Sequence, residues 1–550
     1  MTINYSQLEE TRRIFGDLIG SGILPQEITS LAGHVNFFNE STKLSIPCPL
    51  KQTETISALK GLESLVALKL SKLRFDNNSN ASIDLQHALL FLFSTYCSSV
   101  DGYFKGDKEK VTKYLKQTDL NRAQSDPYRR MSANLYRTKD HRYYHIHGSL
   151  DATTTLKMIG MPPFVPNLTD YQKIVHMYQD KLDTFNCDEL EALNVKNRQA
   201  GIEALKPEQF LNTPHGKTIS SKPMFEIEEL ENETPPVPFL PKPVGSKPQI
   251  LAGIKVLELC RIIAGPTIGK ILAEYGATVI KVTSDNTLPD VPFFQVDGNM
   301  GKHTTNLNLK EPEDRAKFEL LLADADIIVD GYRTGVIEKL GYGPTKVTEL
   351  AKQRGKGFIY ASENCFGFSG EWSGRPGWQQ IADCVSGVAW TQGQALGKNE
   401  PMIPPFPMSD YGTGCIVAIS ILLAIYKRNT VGGSYWCNSS LVQYDLLLLA
   451  QGSYPSEIWD ADVLNNQAFA PFMKLRYYDS VDAISGTALS IFKQLNPDLL
   501  DNQEYFTSLY SEGFGGMIKV LKPVVEYSGG LEVGYKCASR PNGYDEPEWF

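Results

Sequence analysis

Asp410 lies in the stretch PPFPMSDYGTGC, residues 404–415, between a proline run and two glycines and ahead of a long apolar segment. Two chemistries suit a carboxylate there. Ser409 or Asp410 would make a good N-cap for a helix through YGTGCIVAISILLAIYKR, because a short side-chain oxygen accepts from the free N–H groups of the first turn. Alternatively, Asp410 is a nucleophile held at a helix entrance. Four prolines within 401–407 stiffen the approach, and Gly412 and Gly414 leave room for something large beside the helix. The helix N-terminus would keep the carboxylate ionised.

The turn AGP, residues 264–266, is the second place where chemistry is expected. Pro266 suits a first helical turn, whose free N–H groups would hold a phosphate or pyrophosphate; a plain strand-to-helix turn reads the same way. The sequence has no GxGxxG after the strand and no GxxxxGK[ST], which argues against NAD and ATP. His145 and His147, in YYHIHGS, alternate as on one face of a strand, with no carboxylate or cysteine at ligand spacing, so a strand face is expected rather than a metal site.

These groups need a scaffold. Residues 250–365 alternate β-type runs (IKVLELC, TVIKV, ADIIVDGY, GFIYASE) with helical spacing, which predicts α/β architecture with a Rossmann-like parallel sheet. Residues 226–249, acidic and then bearing six prolines from Pro235 to Pro248, are expected to form an extended linker that makes neither a helix nor a central strand. The expected division is an N-terminal half at 1–225, this linker at 226–249, a catalytic region at 250–450 and a completing segment at 451–550. Residues 418–454 also resemble 64–96: each reads as an apolar helix with a basic end, a polar turn, a short strand and a second apolar helix. The N-terminal half therefore reads as an incomplete second copy, as in a fused pair standing in for a homodimer.

Composition narrows the class. With 42% apolar and 21% charged residues and a net charge of −9, the chain reads as globular, with no basic run that would suit nucleic acid. The longest apolar segments, near 414–426 and 441–450, look too short to span a bilayer. Nine scattered cysteines without a CxxC fit reduced thiols in a cytoplasmic protein.

Taken in order, several blocks resemble CoA-transferase family III, the CaiB/BaiF group: LAGIKVLELCRIIAGPTIGKILAEYGATVIKV, then MGKHTTNLNLK through GYRTGVIEKLGYG, then IYASENCFGFSGEWSGRPGWQQIADCVSG, then SDYGTG before a helix ending YKRNTVGG. The similarity covers about 251–450, and LYRTKDHRYYHIHGSLDATTTLKMIGM (135–161) fits a longer branch of the family. The resemblance implies a Rossmann-like α/β fold with a smaller α+β domain, two related halves that interlock, and transfer of CoA between carboxylic acids. In that chemistry an aspartate, here Asp410, forms an acyl anhydride and then a CoA thioester. Coenzyme A is then a substrate, and no metal is implied.

By the same resemblance, CoA contacts fall on Ile262, Ile263, Ala264, Leu307, Gly331, Tyr332, Arg333, Lys339 and Leu340. Gly331 stands where the family carries asparagine. Gln379 replaces a supporting carboxylate, and Asp383 one turn on partly compensates. Trp378 and Gln379 stand where racemases of the superfamily carry a histidine beside an aspartate, against racemase or isomerase chemistry. The remaining alternative is a weakly active or inactive CoA-binding member.

Overall fold

The computed structural model describes residues 5–239 and 248–550. Pro241 and Pro243 of the expected linker lie outside the described residues. In chain order the strands are β1 (Val35–Phe38), β2 (Asn80–Asp84), β3 (Ser99–Val100), β4 (Ala133–Arg137), β5 (Tyr143–His147), β6 (Ile202–Glu203) and β7 (Glu226–Glu231). They continue with β8 (Lys255–Leu259), β9 (Thr278–Thr283), β10 (His303–Asn306), β11 (Ile327–Asp330), β12 (Ile359–Asn364), β13 (Ser434–Ser440), β14 (Phe506–Ser511), β15 (Gly516–Leu521) and β16 (Val525–Ser528).

The main sheet runs β10-β9-β8-β11-β12-β13-β7, and all its pairings are parallel except β13 with β7. Its core is a run of short apolar strands, with IIVD of β11 buried throughout, as strands covered on both faces require. The chain leaves β8 through β9 and β10, then returns beside β8 as β11 and continues outward through β12 and β13. That reversal creates a crevice at the carboxyl ends of β8 and β11, the position where open α/β sheets take ligands. The expected parallel layer is present in this region.

The linker expectation needs correction. Glu226–Glu231 is not a connector but the antiparallel edge of the main sheet, with Glu228 opposite Trp436. An edge of this kind tolerates the sequence EIEELE, because its charges discourage further strand pairing. Among the described residues, 451–550 add no strand to the main sheet. β16 pairs with β2, and β15 pairs with β3, so the C-terminal strands build sheets with the N-terminal ones.

The two similar segments both fold as helix, strand, helix: Gln52–Phe75, β2 and Leu85–Phe91 in one, Met408–Thr430, β13 and Leu441–Ala450 in the other. Their long helices pack on each other. The Met408–Thr430 helix is longer than the apolar run suggested, and by length and composition alone it would cross a membrane. Here 94% of its apolar window is buried in the protein interior.

Gly412 and Gly414 allow that packing, but they do not leave open space as expected. A Cβ on Gly412 would lie 2.0 Å from the Tyr444 ring, and one on Gly414 would lie 2.6 Å from Thr267 Cβ. Alanine in a helix normally gains up to about 1 kcal/mol over glycine. At 412 the clash with a buried ring decides the sign. Gly412→Ala is expected to cost about 1–3 kcal/mol in denaturant unfolding, and a gain in stability would show that Tyr444 moves freely.

Candidate active site

Asp410 is the third residue of its helix, not the cap. The helix starts at Met408 after Pro407, and no side chain caps it. Freed from capping, the Asp410 carboxylate accepts no hydrogen bond among the described residues, and burial pushes it up to about 7. A helix N-terminus contributes about 0.3–1 kcal/mol, less than one pKa unit. Burial therefore outweighs it, and the expectation of a permanently ionised carboxylate is corrected. A half-buried acid without a hydrogen-bond partner is costly to keep, which makes Asp410 a candidate functional residue.

A cavity of about 580 Å³ lies at the carboxyl ends of the main sheet, and Asp410 stands in its wall. Ile262, Ile263, Ala264, Leu307, Gly331, Tyr332, Arg333 and Leu340 stand there too. Lys339 does not. It is exposed on the Val336–Lys339 turn, while Val336, Ile337 and Leu340 face the cavity from the same turn. Ile262 joins β8 to the Ala264–Glu274 helix with φ at +73°, a conformation that β-branched side chains resist. Strain of that kind persists where the surroundings over-determine it, commonly at active sites.

The cavity's cations were partly missed by sequence reasoning. Arg261 and Lys310 line it together with Arg333. Arg261 donates to Pro289 O at 2.8 Å and lies over the Tyr332 ring, and no carboxylate pairs with it among the described residues. Burial and the neighbouring Arg261 lower the pKa of the Arg333 guanidinium. Two unpaired guanidiniums on one rim suit the phosphates of a ligand.

Glu363, at the end of β12, was also missed. It is only 8% exposed and lines the same cavity as Asp410. It forms no hydrogen bond among the described residues, and burial, then Asp410, then Asp330, push it up to about 8. Gly331 makes room for it, since a Cβ there would lie 2.8 Å from Glu363 Oε1. The glycine in place of an asparagine thus has a physical reason. Asp330 is held by the Tyr360 hydroxyl at 2.8 Å and the Tyr332 amide at 3.0 Å.

Gln379 lies outside this cavity. It lines a second, smaller one of about 90 Å³, to which Asp410, Ile262, Ile263 and Trp378 also contribute. Its amide donates to Asp383, as the one-turn spacing suggested. Burial holds the carboxyls of Asp383 and Asp445 well above the ordinary range, and the charge of Asp410 adds to this. Trp378 donates to Ser149 Oγ at 2.9 Å and stacks on His147, which stacks on His145. Burial lowers both imidazoles, so they are neutral, and they share one strand face as expected. The glycine-rich turn 512–516 joins β14 to β15 and lines neither cavity.

Residues 251–492 match the family model for CoA-transferase family III. The acetyl-coenzyme A transferase nodX of Hypoxylon pulicicidum is 32% identical over 538 residues, covering 96% of this chain and 90% of that protein. An acyl-CoA transferase of Gibberella moniliformis is 30% identical over 519 residues, covering 90% and 87%. A crystal structure of the Rv3272 protein of Mycobacterium tuberculosis is 27% identical, covering 40% of this chain and 60% of that one, with a TM-score of 0.32. The chain belongs to CoA-transferase family III. The relatives support CoA transfer in general, with CoA thioesters as substrates.

Proposed function

We propose that the protein exchanges CoA between two carboxylic acids with Asp410 as the nucleophile. The observation that carries this reading is the unpartnered Asp410 carboxylate, which stands in the walls of both cavities. The larger cavity, with Arg261, Lys310 and Arg333, suits the CoA portion of a thioester, and the smaller one suits the acid.

The steps follow from that placement. An Asp410 oxygen attacks the thioester carbonyl, the C–S bond breaks, and a mixed anhydride and CoA thiolate result. The thiolate attacks the Asp410 carbonyl of the anhydride and expels the donor acid as its carboxylate. The acceptor carboxylate attacks the resulting aspartyl thioester and releases thiolate once more. That thiolate attacks the acyl carbonyl of the second anhydride, which yields the new acyl-CoA and frees Asp410. Neither water nor an oxidant is consumed, so exclusion of water from the site matters throughout.

Tyr96, Lys105 and Arg130 of the N-terminal half line the smaller cavity. One chain therefore supplies both sides of the site, as in an intrachain pair of halves.

Incubating the protein with a panel of acyl-CoA thioesters and hydroxylamine, followed by peptide mass mapping, tests the reading. A hydroxamate at Asp410 is expected. An adduct at another residue, or none when CoA binding is confirmed, overturns it.

A further inference from the structure

Among the described residues, six line both cavities: Ser149 and Leu150 from the N-terminal half, and Ile262, Ile263, Trp378 and Asp410 from the C-terminal half. A residue in both walls stands at the boundary between them, so these six form a partition that contains the nucleophile. The halves meet in it through one hydrogen bond, which Trp378 Nε1 donates to Ser149 Oγ at 2.9 Å. An indole has a single donor, so this bond is the polar anchor of the ring.

Ser149 is itself fixed. Its N–H donates to His147 Nδ1 at 2.9 Å, which leaves the imidazole proton on Nε2, 3.3 Å from Gln380 Oε1. The His147 ring stacks on the Trp378 ring with 5.6 Å between centroids, 12° from parallel. His147 and Ser149 of one half thus hold Trp378 and Gln380 of the other through three contacts. The arrangement strains Ser149, whose φ of +52° is uncommon outside glycine. Glycine at 149 would relieve the strain but carry no hydroxyl. A strained residue that keeps its side chain points to a use for that side chain.

We infer that Ser149 is a positioning residue for the exchange reaction: its hydroxyl latches the Trp378 indole into the partition between the two cavities and so keeps water from the intermediates on Asp410. The inference rests on the proposed anhydride and aspartyl thioester for what the partition protects. Water that attacks the carbonyl of the anhydride breaks a C–O bond and frees the donor acid. Water that attacks the aspartyl thioester breaks the C–S bond and frees the CoA thiol. Either way Asp410 returns as a carboxylate, the released protons pass to solvent, and one acyl-CoA and one water are consumed without transfer. An indole held in the partition fills space that such a water would need.

Ser149→Gly and Trp378→Phe each remove one partner of the bond. The first relaxes the backbone and the second keeps the ring, so neither burdens the fold. The ratio of acyl-CoA hydrolysis to CoA exchange is expected to rise about tenfold in each, the scale of one hydrogen bond. In the double variant it rises about tenfold again over wild type and not about a hundredfold, because both changes break the same contact. An unfolded fraction lowers both rates together and leaves the ratio unchanged. Hydrogen exchange of the peptide spanning residues 376–382 reads the contact without turnover, and faster exchange is expected in both single variants. A ratio unchanged in both single variants, or effects that multiply in the double variant, overturns the latch. A hydroxamate at Asp410 in wild type, with ratio and hydrogen exchange unchanged in the variants, rejects this inference and keeps the exchange reading. Faster hydrogen exchange in the variants, without any adduct in wild type, does the reverse.

Discussion

Asp410→Asn loses CoA exchange by about 10⁴-fold or more, the usual scale for removing a nucleophile that forms the covalent intermediate, and the protein gains stability above neutral pH. The first effect follows from placement, because no other residue that lines both cavities carries a carboxylate. The second follows from linkage. Burial raises the carboxyl from 3.8 to about 7 in the folded chain. Between those values the folded chain holds a proton that the unfolded chain has released, so stability falls as pH rises through the window. Above about 7 the full penalty is present, and below 3.8 there is none. Complete conversion of the shift would give about 4 kcal/mol. Asp410 is only half-buried, so about 2 kcal/mol is expected. Denaturant unfolding at pH 5 and pH 8 measures it: the asparagine variant gains roughly 2.5 times as much at pH 8 as at pH 5, because the penalty builds from pH 3.8 upward. Equal stability of the two proteins at pH 8 would mean that Asp410 is solvated like a surface group.

Local patterns were legible where the chemistry sits on one stretch of chain. The alternation of apolar runs and helices over 250–365 forms the parallel sheet, and the AGP turn lies at its crevice, beside strained Ile262. Asp410 stood out because prolines and glycines surround it. Groups assembled across the chain were hidden. Arg130 and Asp482 are 352 residues apart in sequence and meet only in the fold. Glu363 reads as an ordinary strand-end acid in ASENC, and its burial depends on β11 and on the glycine at 331. The edge strand Glu226–Glu231 was misread because acidic residues ahead of prolines look the same in a linker and on a protected sheet edge. Lys339 was misplaced because adjacent positions on a helical turn face different ways, and Leu340 lines the cavity where Lys339 does not.

Glu363→Gln removes the alkaline limb of the activity profile and leaves the acid limb in place. In the wild type two protons leave neighbouring groups in sequence. Asp410 loses the first at about 7, which creates the nucleophile. Glu363 loses the second at about 8, held on by burial, by the Asp410 charge and by Asp330. The active form carries ionised Asp410 beside neutral Glu363, so exchange rises through about pH 7 and falls beyond about 8. The fall has a physical cause. Ionised Glu363 adds a second negative charge to a buried wall where carboxylate and thiolate must approach and a tetrahedral oxyanion must form. Three neighbours of Glu363 do not set this limb: Asp330 lies below it, at about 6, while burial pushes the thiols of Cys260 and Cys365 far above it. Glutamine keeps the shape and a hydrogen-bond donor and cannot ionise. At pH 9 the variant is therefore expected to be about tenfold more active than wild type, the effect of one pH unit beyond a controlling group, and equal to it at pH 7. Initial exchange rates from pH 6 to 9.5 for the two proteins decide the matter. An alkaline limb unchanged in Glu363→Gln would assign it to a group outside this wall, and a loss of activity at every pH would mean that Glu363 acts as a base.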